Sequence, residues 1–264
     1  DDDFDELTAL HPLSFFASTT EADDLSLPQA MQASDWELFE KAGSKEIKDL
    51  KDKNTFQLMK RKDIPKSKRI LDTTWRFKRK RYPDGRLRKH KARLCVRGDQ
   101  QVEGDDYSET FSPVASWATI RLLITLGIVM NLSSRVIDFS NAFAQASLEE
   151  EIYIKIPRGL QVNGISSDYA LKLNKSLYGL KQAPLTWYKN LKSALVNEGF
   201  TVSPQDPCLF LSKTAIAVVY VDDVLIFAKN DNDIDTLTRN LQKAKFEFTI
   251  EEKVNEYLGL QVTT

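Results

Sequence analysis

Two runs of apolar residues that meet at a pair of aspartates constrain this chain more than any other feature. Residues 215–221 and 224–228 have the sequences AIAVVYV and VLIFA, with Asp222 and Asp223 between them. Apolar runs of this length, rich in β-branched residues, predict buried strands joined as a hairpin. Burying an ionised carboxylate is costly unless a cation compensates it, and neither run contains Lys or Arg. The pattern therefore predicts a site that takes a cation from outside this segment.

The turn between these runs lacks the residues that tight hairpins favour. Two-residue turns usually use Gly, Asn or Pro, but the residues at this turn are Val221 and Asp222. We therefore predict a strained backbone at Val221 and Asp222, as functional sites often contain. The alternative is that Asp222 and Asp223 are ordinary polar residues of a solvent-exposed turn.

A third carboxylate, Asp138, lies in a predicted strand at residues 135–139, before a short helical stretch at residues 141–148. If this strand neighbours the hairpin, Asp138 lies close to Asp222 and Asp223 at one end of a sheet. Carboxylates shared in this way hold two divalent ions about 3.5–4 Å apart in enzymes of phosphoryl transfer. Taken alone, Asp138 is better explained as a helix cap.

The composition limits which metal such a site can hold. The chain of 264 residues contains two cysteines, Cys95 and Cys208, and two histidines, His11 and His90. This excludes a Cys/His zinc cluster, and two cysteines do not make a disulfide framework. Metal chemistry must then depend on carboxylates, whose hard oxygens favour Mg²⁺. No apolar run approaches the ~20 residues that a membrane-spanning helix needs, so no membrane partner is expected.

Charge is distributed unevenly, although the net charge is only −1. Residues 1–24 contain eight acidic residues and no Lys or Arg, whereas residues 76–97 contain eleven Lys and Arg against Asp84 alone. Turn residues at 82–85 predict a basic β-hairpin at residues 74–97. Because much of each face is cationic, this hairpin is expected to bury little and to contact a polyanion. The alternative for many of these cations is a solvated face that only follows the phosphates of such a polyanion.

The predicted elements mix helices and strands, which favours an α+β fold close to a split βαβ sheet. We expect an acidic, disordered leader at residues 1–33 and a first helix that starts at Ser34. A mostly buried helix is predicted at residues 117–132. Further helices are predicted at residues 184–199 and from Asp231 or Asn232 onward.

Several short blocks occur in a fixed order along the chain. They are KARL at 91–94 with RG at 97–98, ETFSPV at 109–114, DFSNAF at 138–143, LYGLKQAP at 177–184 with WY at 187–188, YVDD at 220–223 and YLG at 257–259. YVDD resembles the YxDD box of reverse transcriptases. Together the blocks resemble the reverse transcriptases of Ty1/copia-type LTR retrotransposons (Pseudoviridae), from about residue 30 onward.

The resemblance implies a right-hand polymerase fold. Fingers would occupy residues 34–135, including the basic hairpin, and a palm with the start of the thumb connection would occupy residues 136–264. The palm is expected to be a ferredoxin-like βαββ antiparallel sheet backed by helices, with most of the thumb missing. The resemblance also implies a polyprotein that carries integrase and ribonuclease H domains. It would be located in cytoplasmic virus-like particles, and in the nucleus during integration.

The resemblance further implies roles for individual residues. Asp138 and Asp222, with Asp223 as an auxiliary ligand, would bind two Mg²⁺ or Mn²⁺ ions together with the backbone carbonyl of Phe139. Phe143 would lie beneath the incoming sugar and exclude a 2′-hydroxyl; its alternative is an ordinary core aromatic. The other nucleotide-binding candidates are Lys78, Lys80, Lys91, Arg93, Gly179 and Gln182, of which Gly179 is otherwise a plain turn residue. Tyr220 and Val221 would contact the primer and template.

The leading hypothesis is therefore an RNA-directed DNA polymerase, a nucleotidyltransferase that uses a primed RNA or DNA template and dNTPs. The alternative is an inactive or domesticated retrotransposon relic that only binds nucleic acid. An RNA-recognition module would carry exposed aromatics on its strands, whereas the central strands here are aliphatic. Two features depart from the family pattern. AQA at residues 144–146 lacks the usual Gly, and residues 246–252 lack a late palm lysine, so no general acid is assigned.

Overall fold

A computed structural model describes residues 23–82, 84–158, 168–251, 256–258 and 260–261. Within these ranges the helices are α1 (Leu27–Gln32), α2 (Trp36–Asp52), α3 (Trp117–Val129), α4 (Ala183–Asn197) and α5 (Asp231–Lys243). The strands are β1 (Asp24–Ser26), β2 (Phe56–Lys60), β3 (Ile70–Leu71), β4 (Thr73–Arg81), β5 (Leu87–Val96), β6 (Ser133–Phe139), β7 (Tyr153–Ile154), β8 (Tyr169–Leu173), β9 (Thr201–Val202), β10 (Leu209–Leu211), β11 (Ala215–Tyr220), β12 (Asp223–Ala228), β13 (Phe248–Glu251), β14 (Glu256–Tyr257) and β15 (Leu260–Gln261). Short 3₁₀ helices are present at Arg61–Asp63, Gly98–Gln100 and Ala142–Gln145.

The chain divides into two compact units. The first comprises the described residues of Asp1–Ser108 and of Leu148–Lys181. The second comprises Glu109–Ser147 and the described residues of Gln182–Thr264. This division does not follow the expected boundary between residues 135 and 136, because α3 belongs to the second unit, and β7 and β8 to the first. The assignment of fingers and palm stays a prediction.

The first unit is built around the hairpin of β4 and β5. Side chains alternate along both strands, and one face buries Trp75 and Phe77 from β4 with Leu94 and its neighbours from β5. Phe39 of α2 is fully buried and lies edge-on to Phe77, with 5.4 Å between ring centroids. The expectation that this hairpin buries little is therefore wrong for its inner face. A second sheet in this unit has the strand order β2-β8-β7-β3, in which β3 and β7 are parallel.

The end of the expected leader also differs from the prediction. Residues 1–22 lie outside the described residues, but β1 pairs antiparallel with β4, with Leu25 opposite Phe77. Helix α1 follows β1, and α2 begins at Trp36 with Asp35 as its N-cap, rather than at Ser34. Regular structure therefore begins before residue 34.

The second unit contains a six-stranded sheet with the order β13-β6-β12-β11-β10-β9, in which every pair is antiparallel. The two apolar runs form the central strands β11 and β12, as predicted, and residues 224–228 are all buried. Helix α5 buries Ile234, Leu237 and Leu241, also as predicted. The mixed α+β class with antiparallel sheets is confirmed.

Helix α3 is less buried than its sequence predicts. Ile120, Leu123 and Gly127 are buried, whereas Leu122 and Val129 are 58% and 75% exposed. Arg121 and Thr125 lie on the exposed side, but the apolar Leu122 and Val129 share that side and conceal it in the sequence. None of the described helices combines the length and apolar character that crossing a membrane would require.

Candidate active site

The structure brings the three aspartates to one end of the sheet in the second unit. Strands β6 and β12 are antiparallel neighbours, and their register places Asp138 directly opposite Asp223. Opposed residues of such a pair have Cα atoms about 4.5–5.5 Å apart and side chains on the same face. Asp222 lies beside this pair, because the backbone N–H of Phe139 donates to the Asp222 carbonyl at 3.1 Å. The predicted neighbour relation between the two strands is confirmed.

The hairpin turn carries the predicted strain. Strand β11 ends at Tyr220 and β12 begins at Asp223, so Val221 and Asp222 form the turn. Val221 has a φ of 54°, in the left-handed region. Valine rarely adopts this conformation, because its branched Cβ crowds the backbone, and the cost is about 1–3 kcal/mol. The strain prediction is therefore confirmed at Val221.

An aromatic cluster supports this turn. The indole N–H of Trp187, on α4, donates to the Val221 carbonyl at 2.8 Å. Phe139 lies edge-on to Trp187, with 5.0 Å between ring centroids, and also packs against Phe246 and Phe248. Sequence reasoning missed the role of Trp187, which it noted only within a family block. The available signal was the indole N–H, which requires an acceptor when the ring is buried.

The environment of the carboxylates fits hard cations. Asp138 is exposed, Asp222 and Asp223 are half-buried, and the Oδ1 atom of Asp222 is shielded from solvent. Like charges directly opposite each other on neighbouring strands are destabilising, and an ion between them would reverse that effect. No three His, Cys, Asp or Glu side chains of the described residues are already arranged around a metal position. Carboxylate oxygens are the donors that Mg²⁺ prefers, and its coordination by these three aspartates stays a prediction.

Phe143 lies in the 3₁₀ helix after β6 and is 7% exposed. This burial agrees with an ordinary core aromatic, and its contact with a sugar stays a prediction. The helical stretch is shorter than the predicted residues 141–148.

Gln145, part of the departure from the family pattern, donates from Nε2 to the carbonyls of Ser140 and Glu247, both at 2.8 Å. Its side chain thereby connects the segment after β6 to the segment before β13.

Gly179 and Gln182 each have a clear structural role within their own unit. Gly179 has a φ of 91°, and a Cβ there would overlap the carbonyl oxygen of Val96. The Val96 N–H donates to the Tyr178 carbonyl at 2.7 Å, so the loop is docked on the end of β5. Gln182 is 2% exposed at the N-cap of α4. The close backbone approach expected at Gly179 is therefore made to the chain itself, and nucleotide contacts of both residues stay predictions.

The outer face of the basic hairpin contains opposed like charges. The register places Arg76 opposite Arg93, Lys78 opposite Lys91, and Lys80 opposite Lys89. Directly opposed like charges destabilise a sheet, and a bound polyanion would relieve that repulsion. The Arg93 guanidinium also lies 4.6 Å from the centroid of the Tyr178 ring. Binding of phosphate groups by this face stays a prediction.

Three cations of the hairpin, among them Lys78 of the opposed pairs, form ion pairs with the protein's own carboxylates. The pairs are Lys78–Asp24 at 2.9 Å, Arg79–Asp35 at 2.7 and 2.6 Å, and Arg81–Asp23 at 2.7 and 2.9 Å. Composition could not reveal these pairs, because the carboxylates lie about 50 residues away along the chain. The hairpin is thus less positive toward its partner than its sequence indicates.

Asp35 provides a test of how these ion pairs stabilise the first unit. The hydrogen bond from Arg79 holds the pKa of Asp35 well below its usual range, and His90, 2.7 Å away, lowers that pKa further. A depressed folded-state pKa means that the stabilisation is present above about pH 4 and is lost as the pH falls toward the folded pKa. We expect Asp35→Asn to lose roughly 1–2 kcal/mol of unfolding free energy at pH 7, and less near pH 3.

Urea denaturation at both pH values measures this difference. Asp24→Asn is the matched control, because the Lys78 and Asp24 side chains are 35% and 56% exposed and such pairs contribute little. Equal losses for the two variants at pH 7 would contradict the prediction.

Residues 53–264 match the family model described as reverse transcriptase (RNA-dependent DNA polymerase). This chain belongs to the reverse transcriptase family. The retrovirus-related Pol polyprotein of transposon TNT 1-94 from Nicotiana tabacum is 36% identical over 227 residues, which cover 84% of this chain and 17% of the relative. The Pol polyprotein of transposon RE2 from Arabidopsis thaliana is 36% identical over 203 residues, covering 75% and 14%.

The transposon Ty1-GR3 Gag-Pol polyprotein of Saccharomyces cerevisiae is 32% identical to this reverse transcriptase over 216 residues, which cover 80% of the chain and 12% of the relative. The resemblance to Ty1/copia-type reverse transcriptases is thereby confirmed. The chain matches only 12–17% of the length of these three polyproteins. Every candidate site residue, from Lys78 to Asp223, lies within the part that the reverse transcriptase model matches.

Proposed function

We propose that this chain is the polymerase part of an RNA-directed DNA polymerase, which adds deoxynucleotides to a primer 3′ end on an RNA or DNA template. The observation that carries this proposal is the placement of Asp138 opposite Asp223, beside the strained turn that contains Asp222. Membership of the reverse transcriptase family supports it. Two carboxylates on neighbouring strands and a third in the adjoining turn provide the oxygen donors that two-metal phosphoryl transfer requires.

Asp138, Asp222 and Asp223, with the Phe139 carbonyl, are the groups that would hold two Mg²⁺ or Mn²⁺ ions. Ions bound there would activate the attacking 3′ oxygen and stabilise charge on the leaving pyrophosphate. The contribution of the chain itself is to fix the carboxylates on backbone that is hydrogen-bonded from both sides. Asp138 and Asp223 lie on paired strands, and Asp222 lies in a turn whose carbonyl accepts from Phe139.

The basic hairpin would bind phosphates of the template or of the incoming nucleotide. Its opposed cations include Lys78, Lys91 and Arg93, and Lys80 lies on the same face. Lysine binds phosphate as a point charge, whereas arginine presents a fork of donors. We assign Phe143 to deoxynucleotide selection, Gly179 and Gln182 to the nucleotide pocket, and Tyr220 and Val221 to the primer and template.

The second unit would then supply the palm and the first unit much of the fingers. The relatives are named Pol or Gag-Pol polyproteins, which supports fusion of the chain to other domains. We propose that integrase and ribonuclease H are among those domains. Assembly in cytoplasmic virus-like particles, with a nuclear phase during integration, belongs to the same proposal.

Primer extension tests this function. The chain is expected to extend oligo(dT) on poly(rA) when dTTP and Mg²⁺ or Mn²⁺ are present, and to stop when EDTA removes the ion. Asp222→Asn provides the blank, because it removes one charged ligand and keeps the shape of the side chain. Binding of the primed template without extension in either metal would overturn the proposal in favour of a relic that only binds nucleic acid.

A further inference from the structure

Trp187 lies beneath the turn that contains Asp222, and its side chain is 1% exposed. An indole has a single N–H donor, which here donates to the Val221 carbonyl at 2.8 Å. A buried indole usually finds a partner, but this partner is the backbone of a strained turn rather than a regular strand or helix. Helix α4 is thereby connected directly to the conformation of the turn.

Phe139 holds the neighbouring peptide group of the same turn. Its backbone N–H donates to the Asp222 carbonyl at 3.1 Å, and its ring lies edge-on to Trp187 at an angle of 65°. Because Phe139 directly follows Asp138, this contact also places the end of β6. Two successive carbonyls of the turn, at residues 221 and 222, are thus held by donors from two different elements.

We infer that Trp187 is a positioning residue for the carboxylates of Asp222 and Asp223. The inference rests on the proposed polymerase function. A valine at a φ of 54° has lower-energy conformations available, so the turn persists only because its surroundings hold it. Loss of the indole bond removes one of those restraints and lets the two carboxylates move relative to Asp138. Phosphoryl transfer depends on the placement of reacting groups within about an ångström, so a small shift lowers the rate strongly.

Trp187→Phe is the informative substitution, since phenylalanine keeps an aromatic ring in the cluster and removes the N–H. Tyr188→Phe is its matched control on the same helix. Tyr188 is 9% exposed, and its hydroxyl donates to the Pro207 carbonyl at 2.7 Å. Both substitutions therefore remove one buried bond from a side chain to a backbone carbonyl, but only Trp187→Phe removes a bond to the turn.

We expect Trp187→Phe to lower kcat for primer extension by about 10- to 100-fold, with the KM for dTTP changed by less than about threefold. The Mg²⁺ concentration that gives half-maximal activity should rise, because displaced carboxylates coordinate the ion less well. Tyr188→Phe is expected to keep the kcat and the metal dependence of the wild type. Trp187→Phe is expected to lose more thermal stability than Tyr188→Phe, because its smaller ring also leaves a cavity in the core. If the two variants lower kcat and shift the metal dependence equally, Trp187 is only a structural residue and the inference fails.

Mn²⁺ binding without substrate gives a second measurement that does not depend on turnover. The electron paramagnetic resonance signal of free Mn²⁺ reports the Kd for the wild type and for Trp187→Phe. Weaker binding by the variant supports the inference, and equal binding overturns it. A wild-type chain that binds Mn²⁺ but extends no primer would sink the proposed polymerase function while leaving this comparison decisive. A wild-type chain that neither binds Mn²⁺ nor extends a primer would overturn both.

Discussion

Replacing Asp138 with asparagine is expected to reduce primer extension by at least about 10²–10³-fold while the chain remains folded. Asparagine has nearly the shape of aspartate, but it lacks the charge that a divalent ion requires, and electrostatic groups of this kind contribute this much to rate. Asp138 is exposed at the end of β6, so the substitution leaves the core of the sheet unchanged. Initial rates of dTTP incorporation at saturating Mg²⁺ measure the loss.

The same substitution is expected to stabilise the fold although it lowers the activity. Without metal, Asp138→Asn should raise the midpoint of thermal unfolding slightly, because it removes the repulsion between opposed carboxylates at Asp138 and Asp223. Asp231→Asn is the control. Asp231 is a largely exposed carboxylate that pairs at 2.9 Å with Arg135, which lies on β6 like Asp138. Loss of the Asp231 charge should change the rate less than about threefold. Similar activities for the two variants would remove Asp138 from the site.

Replacing Gly179 with alanine is expected to cost roughly 3–4 kcal/mol of unfolding free energy, the largest loss of stability that we predict. Two effects add. The φ of 91° places a Cβ in the left-handed region, at about 1–2 kcal/mol, and the Cβ would overlap the backbone of Val96, where overpacking costs about 1–3 kcal/mol. Its three nearest atoms belong to that backbone, including the nitrogen at 2.9 Å, and backbone cannot rotate away as a side chain can.

Gly104→Ala separates these two effects. Gly104 belongs to the same unit and has a φ of 85°, but an added Cβ meets no atom within 4 Å. It should therefore lose only the conformational part, and urea denaturation of both variants measures the difference. Gly98→Ala is a second test of the docked loop, because its Cβ would overlap the Gly179 carbonyl oxygen. If Gly179→Ala is no less stable than Gly104→Ala, the close approach is absent in solution.

Local sequence patterns predicted the central hairpin and the strain in its turn. Apolar runs indicate β11 and β12 because burial of successive β-branched residues is itself the cause of those strands. The missing Gly, Asn or Pro predicted a strained backbone at Val221 and Asp222, and Val221 has a positive φ. Alternation along β5 likewise indicated that Lys91 and Arg93 share a face, since that periodicity is a property of the extended backbone.

Other features depend on residues far apart in the chain, and no local pattern indicates them. Strand β1 was expected to be disordered, because an acidic segment has little to bury; pairing with β4 and ion pairs to the hairpin order it instead. The exposed side of α3 was only weakly indicated, because apolar residues such as Leu122 and Val129 lie beside Arg121 and Thr125 on that side.

Residue types and their short-range order were enough to predict the family of this protein, the α+β class and the three candidate aspartates. Three contacts could be read only from the folded chain: Asp138 lies opposite Asp223, Trp187 donates to the Val221 carbonyl, and Gly179 meets Val96. The physical reason is that strand register, the acceptor of a buried N–H and the closeness of two backbones are properties of pairs of segments. Each pair is selected when the whole chain packs, so neither partner alone contains the information.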